Sequence, residues 1–471
     1  MGDGHTDQAQ EWSADGARSV GPPARSRVAA ASALAVSATT LVLLVFFTAR
    51  NLLYVFTSLV SGTLAISALW IAATNHKFRW WAGSAAVILV AGSVASLVAA
   101  GRGLVAVAIA LVGMVAAWAL GTLALRWEVR KVLAERWQEV PATRHGILLM
   151  NPKSGGGKVA RLHLADEARR RGIEPVLLHR GDDLQALAEA AATRADALGM
   201  AGGDGSQAVV AAAAASRGLP FVCIPAGTRN HLALDLGIAR DDPVRALDAF
   251  GPARETTIDL AEVNGTVFVN NVSLGIYARI VASDQYRDAK RRTVAELLPT
   301  LLGPEAAPSG LTVDGPEGPV VDPQLIQVSN NPYALASLTG FGSRPRLSTG
   351  ALGVATLSLR HPADVHRLVA LEVAGHPERY GGWQQWTSRD LVVSGPSTLA
   401  VAVDGEANTC TPPLRFVIRP KALRVRIAPG QPGASPALLQ APVGVSTAAG
   451  LARVVRGRPS GIVVQHAAGE S

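Results

Sequence analysis

Gly146-Ile147-Leu148-Leu149-Met150-Asn151-Pro152-Lys153-Ser154-Gly155-Gly156-Gly157-Lys158 is an apolar run that stops on three glycines set between two lysines. A buried strand, a glycine turn and then a helical pattern open a βαβ unit, and similar apolar runs recur through about Ala261. Strands are expected at Ile147 to Met150, Pro175 to His179, Ala197 to Met200 and Pro220 to Ile224. This pattern predicts a parallel sheet covered by helices, with chemistry at the carboxyl ends of its strands.

The glycine turn can cradle phosphate. Backbone N–H groups without side chains approach phosphate oxygens closely, the next helix adds its positive end, and Lys153 and Lys158 supply charge. It is not a Walker A loop, because the first glycine would fall at Pro152 and residue 159 is Val159 instead of Ser or Thr. The third strand ends in a related turn, Gly202-Gly203-Asp204-Gly205-Ser206, where Asp204 is placed to reach Mg²⁺ or the transferring group. The fourth ends in Pro225-Ala226-Gly227-Thr228-Arg229-Asn230, whose hydroxyl, cation and amide can contact phosphates and purine; alone it would pass for a helix cap.

Toward the N-terminus the composition changes. Hydrophobic residues make up 49% of the 471-residue chain and charged ones 17%, a skew that a membrane portion supplies. Val28 to Ala49, Leu52 to Thr74, Trp80 to Ala100 and Leu104 to Leu125 are uncharged and near the ~20 residues that cross a bilayer. Arg18, Arg25 and Arg27 precede the first, Lys77 and Arg79 follow the second, and Arg126, Arg130 and Lys131 follow the fourth. The two outer connections hold only Arg50 and Arg102, so four transmembrane helices with both ends cytoplasmic are expected, in a cell (plasma) membrane.

Toward the C-terminus, Thr266 to Arg426 reads as short strands and turns, with helical lengths at Asp284 to Leu298, carrying Lys290, Arg291 and Arg292, and at Ala363 to Ala374. From Gly430 onward Gly, Pro, Ala and Ser dominate, which reads as a mostly disordered tail. The expected fold class is an α-helical membrane region followed by an α/β nucleotide-binding domain and a mostly antiparallel β domain. The expected boundaries are a tail at 1–27, spans at 28–125, a basic linker helix at 126–145, the α/β domain at 146–262, the β domain at 263–428 and a final tail at 429–471. Cys223 and Cys410 have no partners at metal-ligand spacing, which excludes a disulfide framework and a zinc site. The net charge of +8 does not indicate nucleic acid, since the aromatics lie largely in the membrane segments and form no basic stripe.

NPKSGGGK, GGDGS and PAGTRN, in that order and followed by Asp404-Gly405-Glu406, closely resemble the diacylglycerol kinase catalytic domain family, over about Gly146 to Ala428. The family is related to sphingosine kinases and more distantly to NAD kinases and phosphofructokinases. The resemblance implies an ATP- and Mg²⁺-dependent lipid kinase. It implies nucleotide contacts from Asn151, Lys153, Ser154, Gly155, Gly203, Gly205, Ser206, Gly227, Thr228 and Asn230. Asp204 would serve the nucleotide and its Mg²⁺, Glu406 would be the base at the acceptor hydroxyl, Asp404 would bring a second acid, and Asp259 matches an acidic position at the domain junction.

Some positions depart from the family. Gln207, Ala208 and Val209 stand where an acid is usual, His231 stands where Asp is common, and Arg346 to Gly353 lacks the acids of a structural Mg²⁺ turn, so that metal site is expected to be absent. Asn270 to Gly275 and Ser329 to Tyr333 are polar clusters that either line an acceptor pocket or serve turns. The favoured reaction is diacylglycerol to phosphatidate, with another lipid alcohol or a noncatalytic nucleotide or lipid sensor as alternatives. A homodimer is left open as the oligomeric state.

Overall fold

The structure, a computed structural model, describes residues 22–74, 79–99, 103–275, 309–333, 343–359, 379–396, 398–439, 445–458 and 460, with isolated positions between 364 and 371. The chain divides into two compact units, one of residues 1–131 with 441–462 and one of 132–440 with 463–471.

In the first unit, helices α1 (Ala24–Arg50), α2 (Leu52–Thr74), α3 (Arg79–Ala99) and α4 (Gly103–Arg136) expose much of their apolar surface, as at Phe46, Ile66, Val87 and Val112. By length and composition three can cross a membrane, at Ala24–Arg50, Leu52–Leu69 and Ala108–Glu128, while α3 offers the shorter stretch Trp80–Ser96. No separate linker helix follows, because no Gly or Pro interrupts residues 122–136 and α4 runs on to Arg136.

In the second unit, β1 (Gln138–Val140) precedes β2 (Gly146–Met150), α5 (Lys158–Arg161), α6 (Leu164–Arg170), β3 (Glu174–Leu177), α7 (Leu184–Ala192), β4 (Ala197–Gly202), α8 (Asp204–Ser216), β5 (Pro220–Pro225) and α9 (His231–Asp235). Strands β2, β4 and β5 are buried throughout, which is the signature of a parallel sheet covered on both faces. They pair in the order β5-β4-β2-β3, all parallel. The turns after β2, β4 and β5 therefore emerge side by side from adjacent strands.

The rest of this unit is antiparallel: β6 (Ala253–Val263), β7 (Thr266–Phe268), β8 (Asn271–Gly275), β9 (Thr312–Gly315), β10 (Gly318–Val321), β11 (Leu325–Asn330), β12 (Leu352–Leu357), β13 (Trp383–Ser388), β14 (Asp390–Ser394), β15 (Leu399–Val403), β16 (Glu406–Cys410) and β17 (Leu414–Ile427). Six of them form a separate sheet, β13-β12-β11-β8-β15-β16. The others extend the parallel sheet through β17, which pairs parallel with β5 at Arg424 to Arg426 and antiparallel with β14 at Leu414 to Val417. Between Arg419 and Leu423 the register of β17 against β6 shifts, at a point where Lys421 adopts φ 52°. A long bent strand thus belongs to both halves, and the boundary expected at 262/263 falls inside β6.

Two expected helices lie wholly or largely outside the described residues. Residues 284–298, with their basic cluster, are not described, and of 363–374 the described positions 364, 367, 368, 370 and 371 are helical. The tail expected to be disordered contains helix α10 (Val445–Val455), because Leu451 and Val454 find a buried apolar seat against Ala29, Ala30, Ala33, Ala124 and Leu125.

Candidate active site

The three turns interlock by close backbone approach, and this is where glycine is required. Gly155 sits at φ +57°, and a Cβ there would collide with the carbonyl oxygen of Ala226. Gly227 in turn lies so near the next loop that its Cβ would stand 2.5 Å from Gly203 Cα. Lys158 Nζ donates to the Gly227 carbonyl at 3.2 Å, and the Asn151 side chain accepts from the Lys153 N–H at 3.1 Å. The buried Asn230 folds its own loop, with Oδ1 accepting from Gly227 N–H at 2.9 Å and Nδ2 donating to the carbonyls of Pro225 and Gly227.

Asp204 is buried at the start of α8, and its two carboxylate oxygens accept from the N–H groups of His231 at 3.0 Å and Leu232 at 3.1 Å. A carboxylate on the first turn of α8 thus caps α9, tying the end of β4 to the end of β5. The His231 imidazole is held below its ordinary value by burial, with Asp204 opposing and Arg229, Arg344 and Arg240 adding to the depression.

Asp404-Gly405 forms the hairpin turn between β15 and β16, with φ 49° and 83° as an Asp-Gly turn of this handedness demands. Its Asp404 carboxylate accepts from the N–H groups of Val269, Asn270 and Asn271 at 2.9, 2.7 and 3.1 Å. Burial nevertheless pushes Asp404 up to about 7, against the pull of those donors and with the Asp204 charge adding to the rise. Glu406 follows on the exposed side of the turn, and an ideal Cβ on Gly205 would lie 2.5 Å from its Oε1 and 2.6 Å from its Cδ. The late acidic turn and the glycine-rich aspartate turn, 200 residues apart in sequence, therefore meet face to face.

Among the expected residues, Asn151, Ser154, Gly155, Gly203, Asp204, Gly205, Ser206, Gly227, Asn230, Asp404 and Glu406 gather around these turns, while Lys153 and Thr228 are exposed. The donor set suits a cation carried on a nucleotide better than a dedicated cage. Asp204 spends both oxygens on backbone N–H groups, and no donor among the described residues bonds the Glu406 carboxylate.

Sequence reading missed two buried groups. Gln207, on the first turn of α8, donates from Nε2 to the carbonyls of Met200 and Ile224 at 2.9 and 3.0 Å, filling a position where an acid was looked for. Arg344 is fully buried beside Asp235, with Nε to Oδ2 at 2.6 Å, and it also donates to the carbonyls of Val269 and Asn330 and to Asn270 Oδ1. Asp235 closes α9, the helix that Asp204 caps, and Val269 and Asn270 form the segment that Asp404 holds. One ionic clasp thus connects the two acidic turns from behind. No periodicity or spacing marks a lone Arg in Ser343-Arg344-Pro345 as buried.

Asn270 and Asn271 bond the side chains of Arg344, Tyr333 and Ser273, whereas Asn330 and Asn331 hold neighbouring loops. Asn330 Nδ2 donates to the carbonyls of Asp259 and Val269, and Asn331 Oδ1 accepts from Thr349 N–H and Oγ1 at 2.7 and 2.6 Å. Asp259 is buried and accepts from the N–H groups of Gly350 and Lys421, both at 2.7 Å, so it closes the 346–353 loop and the bend of β17. Burial raises its carboxyl above the ordinary value, against those two donors.

Residues 145–263 match the sequence profile of the diacylglycerol kinase catalytic domain. Over that segment the chain is similar to diacylglycerol kinase catalytic domains. Its curated relatives include a diacylglycerol kinase of Mycobacterium tuberculosis (strain CDC 1551 / Oshkosh), 29% identical over 217 residues, or 44% of this chain and 66% of that protein. A diacylglycerol kinase of Bacillus subtilis (strain 168) is 34% identical over 131 residues, covering 26% of this chain and 43% of that protein. The chain therefore spans less than two thirds of the length of either relative. A crystal structure of a diacylglycerol kinase from Bacillus anthracis str. Sterne superposes with a TM-score of 0.47 at 17% identity, over 61% of this chain and 98% of that one. All three glycine-rich turns lie inside the kinase catalytic segment, whereas Arg344, Asp404 and Glu406 lie beyond it.

Proposed function

We propose that this chain is a membrane-bound lipid kinase that transfers the γ-phosphate of ATP to a lipid hydroxyl, with diacylglycerol to phosphatidate the favoured reaction. The observation that supports it best is the placement of the Glu406 carboxylate over Gly205, at the mouth of three interlocked phosphate-type turns. Glu406 takes the proton of the acceptor hydroxyl, the acceptor oxygen bonds the γ-phosphorus, and the bond from that phosphorus to the β–γ bridging oxygen breaks to release ADP. Asn151, Ser154, Gly155, Gly203, Gly205, Ser206, Gly227 and Thr228 cradle the phosphates, and Lys153 and Lys158 offset their charge. Asp204 is the acid that would serve a Mg²⁺ carried on the nucleotide, which when bound would neutralise charge on the transferring group. Asp204, Asn230 and Asp404 act by holding these turns in register.

The apolar helices, three of them long enough to cross, support a membrane anchor; four spans with both ends cytoplasmic, the shorter α3 crossing too, is the topology proposed for it. A diacyl lipid does not leave the bilayer, so a tethered enzyme meets it at raised effective concentration. A panel of lipid alcohols incubated with γ-labelled ATP, Mg²⁺ and membranes holding the chain tests this reading. Label should enter one lipid class and disappear with Glu406→Gln. Measurable ATP binding without transfer to any lipid would leave the sensor reading in its place.

A further inference from the structure

The tail helix folds back on one end of the apolar bundle. In α10, Leu451 and Val454 are buried against Ala29, Ala30 and Ala33 of α1 and Ala124 and Leu125 of α4. Arg27 Nε donates to the Val455 carbonyl at 3.3 Å, and Ser460 N–H donates to Glu128 Oε1 at 2.7 Å, so the helix and the chain beyond it are both tied down. Ser26 Oγ, donating to the Ala124 carbonyl at 2.6 Å, clamps the start of α1 to α4 at the same level.

With its apolar side spent on that seat, the tail turns Arg453, Arg456 and Arg458 outward, and all are exposed. Arg25, Arg27 and Arg126 are exposed at the same end, Arg25 lying 5.3 Å from the centroid of the Trp127 ring. Across 22–131 and 441–462 the sequence has a single acid, Glu128, and it is buried. Glu128 acts electrostatically on Arg453 from within, and no other carboxylate offsets these cations among the unit's described residues. Immediately along the same helices the surface becomes apolar, with Val28 66% and Trp118 59% exposed.

We infer that Arg25, Arg27, Arg126, Arg453, Arg456 and Arg458 form one collar that binds the headgroups of anionic phospholipids, and that the tail helix is a built part of it. The inference rests on the membrane reading above. Cations ringing the point where an apolar surface ends match a bilayer, whose anionic headgroups begin where its hydrocarbon stops. A nucleic acid would have no use for the adjoining apolar band.

The test uses the full chain in nanodiscs of phosphatidylcholine mixed with phosphatidylglycerol, followed by native mass spectrometry of the lipids that stay bound. Wild type should retain phosphatidylglycerol preferentially, and Arg453→Gln/Arg456→Gln/Arg458→Gln should weaken that retention by up to roughly 100-fold. Arg453→Lys/Arg456→Lys/Arg458→Lys should keep it, which separates loss of charge from loss of the helix. Arg169→Gln/Arg170→Gln, on the exposed α6, should change nothing. Equal phosphatidylglycerol retention by wild type and the Gln variant, with the chain still in the nanodisc, overturns the collar and leaves the membrane reading standing. A chain that never enters the nanodisc overturns both.

Discussion

Gly205 carries the sharpest residue-scale prediction. Its backbone is helical and accepts alanine without strain, so Gly205→Ala should leave α8 as stable or better. The added methyl group would nevertheless stand 2.5 Å from Glu406 Oε1, so the carboxylate must swing aside. Turnover should fall, at most by the roughly 10²–10⁴-fold expected of Glu406→Gln, with the thermal unfolding temperature held or raised; wild-type turnover in Glu406→Gln would remove Glu406 from the reaction. Asp404 carries a second. Its carboxyl stands near 7 in the fold against an ordinary value of 3.8, so between those values the folded chain keeps a proton that the unfolded chain has released. The stability contributed by this group is full below about pH 4 and is lost as the pH rises to 7. Asp404→Asn does not titrate, so the stability difference between wild type and variant should shift across pH 4 to 7 and be flat above it, read by denaturant unfolding at each pH. Asp235 and Asp259, raised in the same direction, are common to both proteins and cancel.

Among the elements, α9 is five residues long and cannot hold itself together, so its position depends on what grips its ends. Asp204 grips the start, and the Arg344–Asp235 pair grips the finish. Removing one partner of a buried pair leaves the other charge stranded, a cost of about 3–5 kcal/mol. Arg344→Met should therefore speed amide exchange in β8 and β11 by roughly 10²–10³-fold. Arg344→Met with Asp235→Leu should recover most of the protection, because no isolated charge remains. Unchanged exchange in the single variant would show that the clasp does not hold these strands. The turn after β2 depends on a different constraint: Gly155→Ala would drive a Cβ into the Ala226 carbonyl at a left-handed φ, and ATP binding should be lost while the sheet behind it stays folded, as circular dichroism and nucleotide titration can show together.

At the scale of the whole molecule, one stretch of chain carries the apolar helices and another carries the segment similar to diacylglycerol kinase catalytic domains. If the helices cross the bilayer as proposed, alkaline carbonate should leave the chain in the membrane pellet, and removal of residues 1–131 should release the catalytic segment. Release of the intact chain by carbonate would reduce the helices to a surface association. The bent β17, pairing parallel with β5 and antiparallel with β14, joins the parallel strands and part of the antiparallel set into one sheet, beside the separate six-stranded sheet. A truncation at 262/263 should therefore fail to yield a soluble α/β half, since it strips β17 from the edge of β5.

Local chemistry made the parallel strands and their three turns legible in sequence, since continuous apolar runs ending on glycine say both where a strand is buried and where backbone approaches backbone. The apolar helices were legible for the same reason: absence of charge over about 20 residues is a local property. The disordered reading of the tail failed because α10 is apolar only on the face that a distant pair of helices happens to cover. The burial of Arg344 and the partners of Gln207 and of the two Asn clusters were not legible for a related reason, as those partners come from distant parts of the chain and no spacing encodes them. By itself the sequence determined which segments could bind phosphate and which could enter a membrane. Only the tertiary structure decided that Glu406 faces Gly205, that Asp204 caps α9 and that Arg344 is an internal clasp, because each of these depends on groups brought together by folding from far apart in the chain.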